Sequence, residues 1–292
     1  MKILLIDAMN CLHRAWHSYS KLQNSGQPVS IIFGMPSIVN GLINKFHPDK
    51  LLVIWDGKKS SHRLELLPEY KAHRKTRTTQ EHEDFVRQKT TTMELFHSLG
   101  VKQVINIDQE ADDMIYYFVR KYKKDKANKI TIVSTDKDFH QLLCSNVKIW
   151  NTHKEAFVHS ENCEKLMGYT PQQCVSYLTL RGDDSDNIPG YRGIGEVKAK
   201  QFLEKFGTVK GYLSQGDEFK GIDRKTLAIL WYKNQPMIDL RYFYGLHLRG
   251  KVKPSYYNQD RKPKLNKQKL FRICAQYYIK TFRKHEFLKN YE

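Results

Sequence analysis

The sequence predicts an α/β fold with a mostly parallel central sheet and flanking helices. Three observations carry this. Short apolar runs recur through the first half, stretches with helical spacing separate them, and acidic residues follow the runs at their carboxyl ends. Lys2-Ile3-Leu4-Leu5-Ile6 and Leu51-Leu52-Val53-Ile54-Trp55 have the continuous hydrophobicity of strands buried on both faces. Residues 102–105 and 129–133 repeat the pattern, and between them Met114, Ile115, Phe118, Val119 and Tyr122 share one helical face. Residues 147–150 and 156–158 read as a short edge pair. Beyond about residue 165 the strand signal fades. Residues 172–180 form a predicted helix with Pro171 at its start, and residues 196–206 another, stopped by Gly207. A last helix over 270–282 carries Phe271, Cys274, Tyr278 and Phe282 as a packing stripe. The basic segment 251–269, with Pro254 and Pro263, is a connector. No internal repeat is visible.

Length and composition bound the function. A chain of 292 residues with 40% hydrophobic content builds one large domain or two small ones. Its mean hydropathy of −0.63 and lack of a long apolar run argue against a membrane span. The opening run is interrupted by Asp7 and is too short for a signal peptide. The five cysteines form no Cys-x-x-Cys pair and read as reduced thiols, so a cytoplasmic protein without structural zinc is expected. Forty-nine basic against 31 acidic residues give a net charge of +18, which points to a polyanionic partner. The basic residues are spread along the chain rather than gathered on one amphipathic helix, so nucleic acid is expected rather than a membrane surface.

Against that basic background, acids stand where strands end. Asp7 follows the first run, Asp56 the second, and Asp136 and Asp138 the fourth. Glu110, Asp112 and Asp113 open the helix after the third, and Asp183 and Asp186 lie in a later turn. In open parallel sheets the carboxyl ends of the strands share one rim, where ligands bind. Each acid alone could complement a helix dipole or form a turn. Several anions at one rim repel one another unless cations neutralise them. Oxygen ligands without His or Cys favour Mg²⁺, with Mn²⁺ able to substitute, over zinc. Two such ions about 4 Å apart are the usual device for in-line displacement at phosphorus. The residues at this point indicate a metallonuclease or a metallophosphatase.

A set of motifs narrows the choice. Leu5-Ile6-Asp7-Ala8-Met9-Asn10, Trp55-Asp56-Gly57, Arg63-Leu64-Glu65-Leu66-Leu67-Pro68-Glu69-Tyr70-Lys71 with Arg74, Glu110-Ala111-Asp112-Asp113-Met114, Ser134-Thr135-Asp136-Lys137-Asp138, Gly182-Asp183-Asp184-Ser185-Asp186-Asn187-Ile188-Pro189-Gly190 and Gly193-Ile194-Gly195 occur in this order. The chain resembles, over roughly residues 1–210, the 5′-nuclease family of phage flap endonucleases and the nuclease domain of bacterial DNA polymerase I. The resemblance implies a PIN-like core over 1–170 with a helical arch at about 71–95. It implies a helical DNA-binding region over 171–292, with a helix-hairpin-helix type element at about 182–207 and a C-terminal helix. It also implies that Asp7, Asp56, Glu110, Asp112, Asp113, Asp136, Asp138, Asp183 and Asp186 are metal-site carboxylates serving two ions. Asp184 and Ser185 lie between ligand positions.

By the same resemblance, Lys71 and Arg74 form the catalytic basic pair at the foot of the arch, where a cation offsets charge developing on the scissile phosphate. Tyr70 is placed to stack on a base or in the core. Lys75 and Arg77 begin the arch, for which Phe85, Val86 and Phe96 offer a packing face or a wedge. Glu81, Glu83 and Asp84 are less expected beside DNA. Gly193 and Gly195, with Lys198 and Lys200 on the following helix, suit a grip on duplex phosphates that reads no sequence. The implied activity is 5′–3′ exonuclease and flap endonuclease action on branched or 5′-ended DNA, in replication or repair. An RNA–DNA hybrid is a further substrate and replication proteins are partners. A phage source would place the chain, a monomer, in the host cytoplasm. The alternatives are a PIN-type single-strand ribonuclease, which lacks the arch and the hairpin element, and a non-catalytic DNA-binding module, which leaves the acidic rim without purpose. An aspartyl-phosphate phosphatase would need an Asp-x-Asp that Ala8 and Met9 do not supply.

Overall fold

The computed structural model describes all residues except 59, 74–76 and 252. Its main sheet contains β1 (Lys2–Asp7), β4 (Lys50–Trp55), β5 (Gln103–Ile105), β6 (Lys129–Val133), β7 (Val147–Asn151) and β8 (Ala156–Val158). The separate hairpin of β2 (Gln23–Asn24) and β3 (Gln27–Pro28) lies apart from it. The order is β5-β4-β1-β6-β7-β8, parallel throughout except for β8, which runs antiparallel to β7 at the edge. The chain passes outward from β1 to β4 and β5, then returns to β6 on the other side of β1. The carboxyl ends of β1 and β6 are therefore the switch point of the sheet, where a crevice opens between diverging connections.

Thirteen α-helices among the described residues surround the sheet: α1 (Ala8–Ser18), α2 (Ser30–Phe46), α3 (Ser61–Leu66), α4 (Thr79–Ser98), α5 (Ala111–Tyr122), α6 (Cys163–Met167), α7 (Cys174–Arg181), α8 (Glu196–Phe206), α9 (Val209–Ser214), α10 (Arg224–Ile238), α11 (Leu240–Phe243), α12 (Lys267–Gln276) and α13 (His285–Leu288). Successive strand residues point to opposite faces, and two cores result. Ile3, Leu5, Leu52, Ile54, Ile130 and Ile132 face one core, completed by α5 and the helices from α7 to α11. Leu4, Ile6, Val53, Trp55 and Val133 face the other, completed by α1, α2, α4, α12 and α13. No helix among the described residues is long and apolar enough to cross a membrane.

The arch expected over 71–95 is shorter in its described part. From Phe85 onward α4 packs against the body: Phe85, Gln88, Thr92, Met93, Leu95 and Phe96 are buried. Gln88 Oε1 accepts the Ile31 N–H at 2.8 Å, which ties the helix to the start of α2. Phe85 packs beside His13 and Trp16, with the Arg77 guanidinium 3.6 Å over its ring, so it is a packing residue and not a wedge. The acids that looked out of place have local work. Glu81 closes a capping box with Thr78, and Asp84 pairs with Arg87 at 2.9 Å.

The C-terminal segment also departs from the expected division at residue 170. Leu270, Ile273, Cys274, Phe282, Phe287 and Leu288 join the core of α1, α2 and α4, so this segment buttresses the nuclease layer rather than the helical region. The helix expected over 270–282 stops at Gln276. Tyr278 adopts φ 53°, the Ile279 N–H reaches back to the Cys274 carbonyl and the Tyr278 N–H to that of Ala275, which makes a Schellman stop with tyrosine where glycine is usual. Tyr278 consequently points outward, 67% exposed, and leaves the expected packing stripe.

Candidate active site

Asp7 is both the last residue of β1 and the N-cap of α1, its Oδ1 accepting the Asn10 N–H at 3.1 Å. Its other oxygen accepts from Ser134 Oγ at 2.8 Å, and that hydroxyl in turn accepts the Asp136 N–H at 3.1 Å. Ser134, wholly buried just past β6, thus locks the acids of two neighbouring strands into one arrangement. Asn10 reinforces the link by donating to Thr135 Oγ1 at 2.6 Å. Asp56, just past β4, accepts the Ala111 N–H at the start of α5, which brings Asp112 to the same rim.

The result is an open cavity of 640 Å³ lined by Asp7, Asp56, Asp112 and Asp136 together with Lys71, His73 and Arg77. A second cavity of 420 Å³ adjoins it, lined by Asp136, Asp183, Lys137 and Arg181. Asp136, Asp184, Ser185 and Asn10 belong to both. Asp7 is buried, and Asp56, Asp112, Asp136 and Asp183 are half-buried and crowded. Burial, and then the nearby Asp56, push Asp7 up to about 7. Burial and the neighbouring Asp186 and Asp183 push Asp136 up to about 6. Asp112 and Asp138 are held well above the ordinary carboxylate range, by burial first and by Asp136 next. Among the described residues no three of these side chains converge on a single point as ready-made ligands. The donor set, all oxygen and without a salt bridge from Asp7, Asp56, Asp112 or Asp136 to any described side chain, fits hard divalent ions.

Other expected ligands are already partnered. Arg63, from α3 and 2% exposed, donates from its two terminal nitrogens to both oxygens of Asp113 at 2.9 and 2.8 Å. Asp113 therefore faces the guanidinium rather than the cavity, which departs from its expected place among the ligands. Glu110 accepts from Lys71 Nζ at 2.7 Å, from the Tyr70 hydroxyl at 2.9 Å and from Arg63 at 3.4 Å. Burial works against its charge, and Lys71 and Arg63 together outweigh burial, so Glu110 sits below the usual range. Asp186 accepts from the Tyr70 hydroxyl at 3.1 Å and lies 3.7 Å from Lys71 Nζ. Asp138 is buried behind Asp136, and its N–H donates to Asp136 Oδ1 at 2.9 Å.

Lys71 is the one described basic side chain set deeply into the acidic rim. Burial disfavours its charge, but Glu110, Asp186 and Asp112 prevail and hold its ammonium above the ordinary value. Its backbone is also constrained: φ is 59°, and its N–H donates to the Asp186 carbonyl at 3.1 Å. The turn that bears Asp183 and Asp186 is clamped by reciprocal backbone bonds between Asp183 and Ile188. Gly190 closes it against Arg181, where a Cβ would meet backbone at 2.4 Å. Arg74 and Lys75 lie outside the described residues.

Tyr70 corrects one expectation. It is 2% exposed and spends its hydroxyl on Glu110 and Asp186, so it positions those acids and presents no face to a base. Arg77 lines the cavity as expected of the arch's start. Gly193, at φ 81°, and Gly195, the residue before α8, leave open space where a side chain would stand. Lys198 is exposed and folds back to the Gly193 carbonyl, whereas Lys200 pairs with Glu196 at 2.6 Å. Sequence reasoning quoted Arg63 and Ser134 within motifs without assigning them a role. Their signal lies in three dimensions, because each acts on acids distant in sequence.

Comparison with known proteins agrees with this geometry. Residues 2–168 match the family model described as the 5′-3′ exonuclease, N-terminal resolvase-like domain, and residues 169–236 the 5′-3′ exonuclease, C-terminal SAM fold. The chain is 34% identical over 231 residues to the flap endonuclease Xni of Shewanella halifaxensis, covering 77% of this chain and 86% of that one. It is 33% identical over 230 residues to the thermostable DNA polymerase I of Thermus aquaticus; the match covers 78% of this chain and spans only 27% of the polymerase. The solved T5 5′-exonuclease with bound zinc ions superimposes with a TM-score of 0.71 at 26% identity, over 83% of this chain and 91% of that one. A buried acidic rim at the switch point of a parallel sheet, continued by a helical second region and matched by both family models, leads to one assignment: the chain belongs to the 5′–3′ exonuclease family.

Proposed function

We propose that the chain is a divalent-metal-dependent 5′–3′ exonuclease and flap endonuclease that hydrolyses DNA phosphodiesters next to junctions of single and double strands. The observation that carries this reading is the set of four carboxylates, Asp7, Asp56, Asp112 and Asp136, facing Lys71 across one open cavity. Asp7, Asp56, Asp112 and Asp136 would hold one ion, and Asp136 with Asp183, in the adjoining cavity, would hold a second. Mg²⁺ is the natural occupant of such an oxygen-only set, with Mn²⁺ as substitute. Bound ions would activate water and offset charge on the leaving oxygen.

The chain's own residues supply positioning. Lys71, anchored by Glu110 and Asp186, presents a fixed positive charge to a phosphate entering the cavity, and Arg77 extends that charge toward the arch. Fixed donors aimed at developing charge cost no reorganisation during reaction. The Gly193 to Gly195 turn and the first turn of α8 would hold the duplex by its phosphates, with Lys198 alongside. Binding of this kind selects shape rather than sequence and weakens steeply with salt. Action in DNA replication or repair follows, as a monomer in the cytoplasm, with RNA in an RNA–DNA hybrid as a second substrate.

The test is cleavage of a duplex bearing a 5′ single-stranded flap, compared with a 3′-flap duplex and single-stranded RNA, in Mg²⁺. Short products released near the 5′-flap junction alone, and abolished by EDTA, are expected. Cutting of the single-stranded RNA alone would assign the chain to the ribonucleases instead.

A further inference from the structure

At the end away from the acidic rim, the sheet sends three lysines onto one of its two faces. Lys2 opens β1 and stands directly opposite Lys129, which opens β6. Two residues on, Thr131 lies opposite Leu4 on one side and Lys148 on the other. Alternation along the strands puts Lys2, Lys129, Thr131 and Lys148 on the face of Leu4, Val133 and Trp150, which α2 helps to cover. Lys45 joins them from the last turn of α2, where its charge also suits the helix dipole. The four lysines line one pocket of 170 Å³ with Phe46, Pro48 and Thr131. Lys50 and Lys102 belong to the opposite face and take no part.

Among the described residues no carboxylate lines this pocket and none of the four lysines forms a salt bridge. Asp49, which follows Pro48 in the chain, spends an oxygen on the Lys2 backbone N–H at 2.6 Å. Aromatic rings hold two of the ammonium groups without neutralising them. Lys45 Nζ sits 4.0 Å over Trp150 and Lys148 Nζ 3.7 Å over Phe157, and these rings pack with Phe46 at 4.9 to 5.5 Å between centroids. Burial, and then Lys129, disfavour the charged form of Lys148, so the two ammonium groups are near enough to repel. Thr131 is an independent mark of a ligand. It lies between Ile130 and Ile132, is 7% exposed, and its hydroxyl makes no hydrogen bond with any described residue. A polar group at that depth is costly unless something answers it.

We propose that this pocket is a phosphomonoester site, separate from the catalytic cavity, in which the lysines answer the charge of the phosphate and the Thr131 hydroxyl donates to one of its oxygens. Lysine binds phosphate as a compact charge with rotatable donors, so four of them around a cup suit a tetrahedral dianion. Size narrows the ligand further. Sites that enclose a drug-sized molecule run to about 300–1,000 Å³, so a pocket of 170 Å³ takes the phosphate group and leaves a base outside. A single cup also favours an end group, with its two charges, over a backbone diester, which carries one. Two sources supply that chemistry: a free anion, as inorganic phosphate or a mononucleotide, and the 5′-phosphorylated end of a DNA strand.

The four tryptophans make the test local, because each has a different basic side chain near its ring: Lys45 at Trp150, Arg77 at Trp16, Lys89 at Trp55 and Lys210 at Trp231. The experiment follows their indole N–H signals by NMR in the whole isotope-labelled chain in EDTA. Inorganic phosphate replaces chloride at constant ionic strength, and single Trp→Phe changes assign the signals. The Trp150 signal should move and saturate. The Lys129→Gln/Lys148→Gln chain should need at least about tenfold more phosphate, and Thr131→Val at least about threefold more. Both should keep wild-type single-turnover flap cleavage in Mg²⁺. Dimethyl phosphate, a singly charged diester, should need at least about tenfold more than phosphate. A 5′-phosphorylated single strand that moves Trp150 where its 5′-hydroxyl counterpart does not assigns the strand end as the source. Movement with inorganic phosphate and a mononucleotide alone assigns the free anion. A Trp150 signal that stays still or follows ionic strength alone overturns the proposal. So does an equal response in the glutamine and valine chains, or equal affinity for dimethyl phosphate.

Discussion

Replacing Arg63 with Met tests whether the pair it makes with Asp113 is structural. The guanidinium is buried, donates to both Asp113 oxygens and lies 4.1 Å over the Phe243 ring, so Met preserves most of the apolar packing and removes the charge with its hydrogen bonds to Asp113 and Glu110. Asp113 is 1% exposed and would be left without a counter-charge. Removing one partner of a buried ion pair costs about 3–5 kcal/mol, and for a chain of this size each kcal/mol moves Tm by about 2–4 °C. A drop on the order of 10 °C is expected, with a matching fall in the urea midpoint followed by circular dichroism in EDTA. The stranded carboxyl is tolerated only as the neutral acid, so the deficit should be larger at pH 8 than at pH 5. The double change Arg63→Met/Asp113→Leu should recover most of the loss, because an apolar pair carries no desolvation cost. Asp113→Asn should likewise destabilise the metal-free chain. An unchanged urea midpoint for Arg63→Met, or an Asp113→Asn chain whose metal-free stability is intact while its ion affinity falls, would refute this reasoning and return Asp113 to the ligands.

Three further outcomes follow from the same site. Asp7 is pushed up to about 7 and Asp136 to about 6, so their contribution to stability is fully present below the unfolded values near 4 and lost as pH rises through 6 to 7. In EDTA the Tm should fall between pH 5 and 8, Asp7 alone accounting for about 3 kcal/mol over the roughly two units from pH 5 to its raised value, at ~1.4 kcal/mol per unit, and Mg²⁺ should restore it at pH 8 far more than at pH 5; a flat melting profile refutes the burial argument. Lys71→Ala should slow single-turnover flap cleavage by about 100- to 1,000-fold with less than a tenfold change in flap affinity; equal loss of affinity would make Lys71 a binding residue only. Gly190→Ala drives a Cβ to 2.4 Å from the Arg181 carbonyl carbon. It should cost about 1–3 kcal/mol in urea unfolding and lower activity through the Asp183–Asp186 turn, and an unchanged midpoint would mean that the turn relaxes freely.

The sheet was legible because its strands are buried on both faces and read as unbroken apolar runs, and because parallel strands put Asp7, Asp56 and Asp136 at one rim whatever their separation in sequence. The edge pair β7–β8 and helix α8 were legible for the same local reasons. Elements decided by tertiary packing were not. The periodicity over 270–282 is genuinely helical, yet Tyr278 takes a left-handed conformation that its residue type disfavours. The resemblance implied an arch reaching residue 95, but Phe85 packs α4 on α1 and Gln88 ties it to α2 through contacts that no local pattern announces. Tyr70 shows the limit most plainly, since a tyrosine at the foot of an arch reads equally as a stacking ring or as a buried hydroxyl. Only the positions of Glu110 and Asp186 decide between them.

Charge balance does for the acids what sequence could not. Nine carboxylates carry the same motif signal, but among the described residues two buried cations, Arg63 and Lys71, serve Asp113, Glu110 and Asp186. Those three acids can be buried at modest cost because their charge is answered from within. Asp7 and Asp138 are buried and Asp112 and Asp136 half-buried with no salt bridge to any described side chain, and all four are raised accordingly. The free energy spent on holding them together is recoverable only by cations from solution, so the strain at the rim is itself the source of ion affinity. Lys71 stands at the border of the two sets, bonded to the balanced acids and facing the unbalanced ones across the cavity. A phosphate entering there would meet a positive charge whose position is fixed by Glu110 and Asp186, which ties the structural half of the acidic rim to the chemistry of the other half.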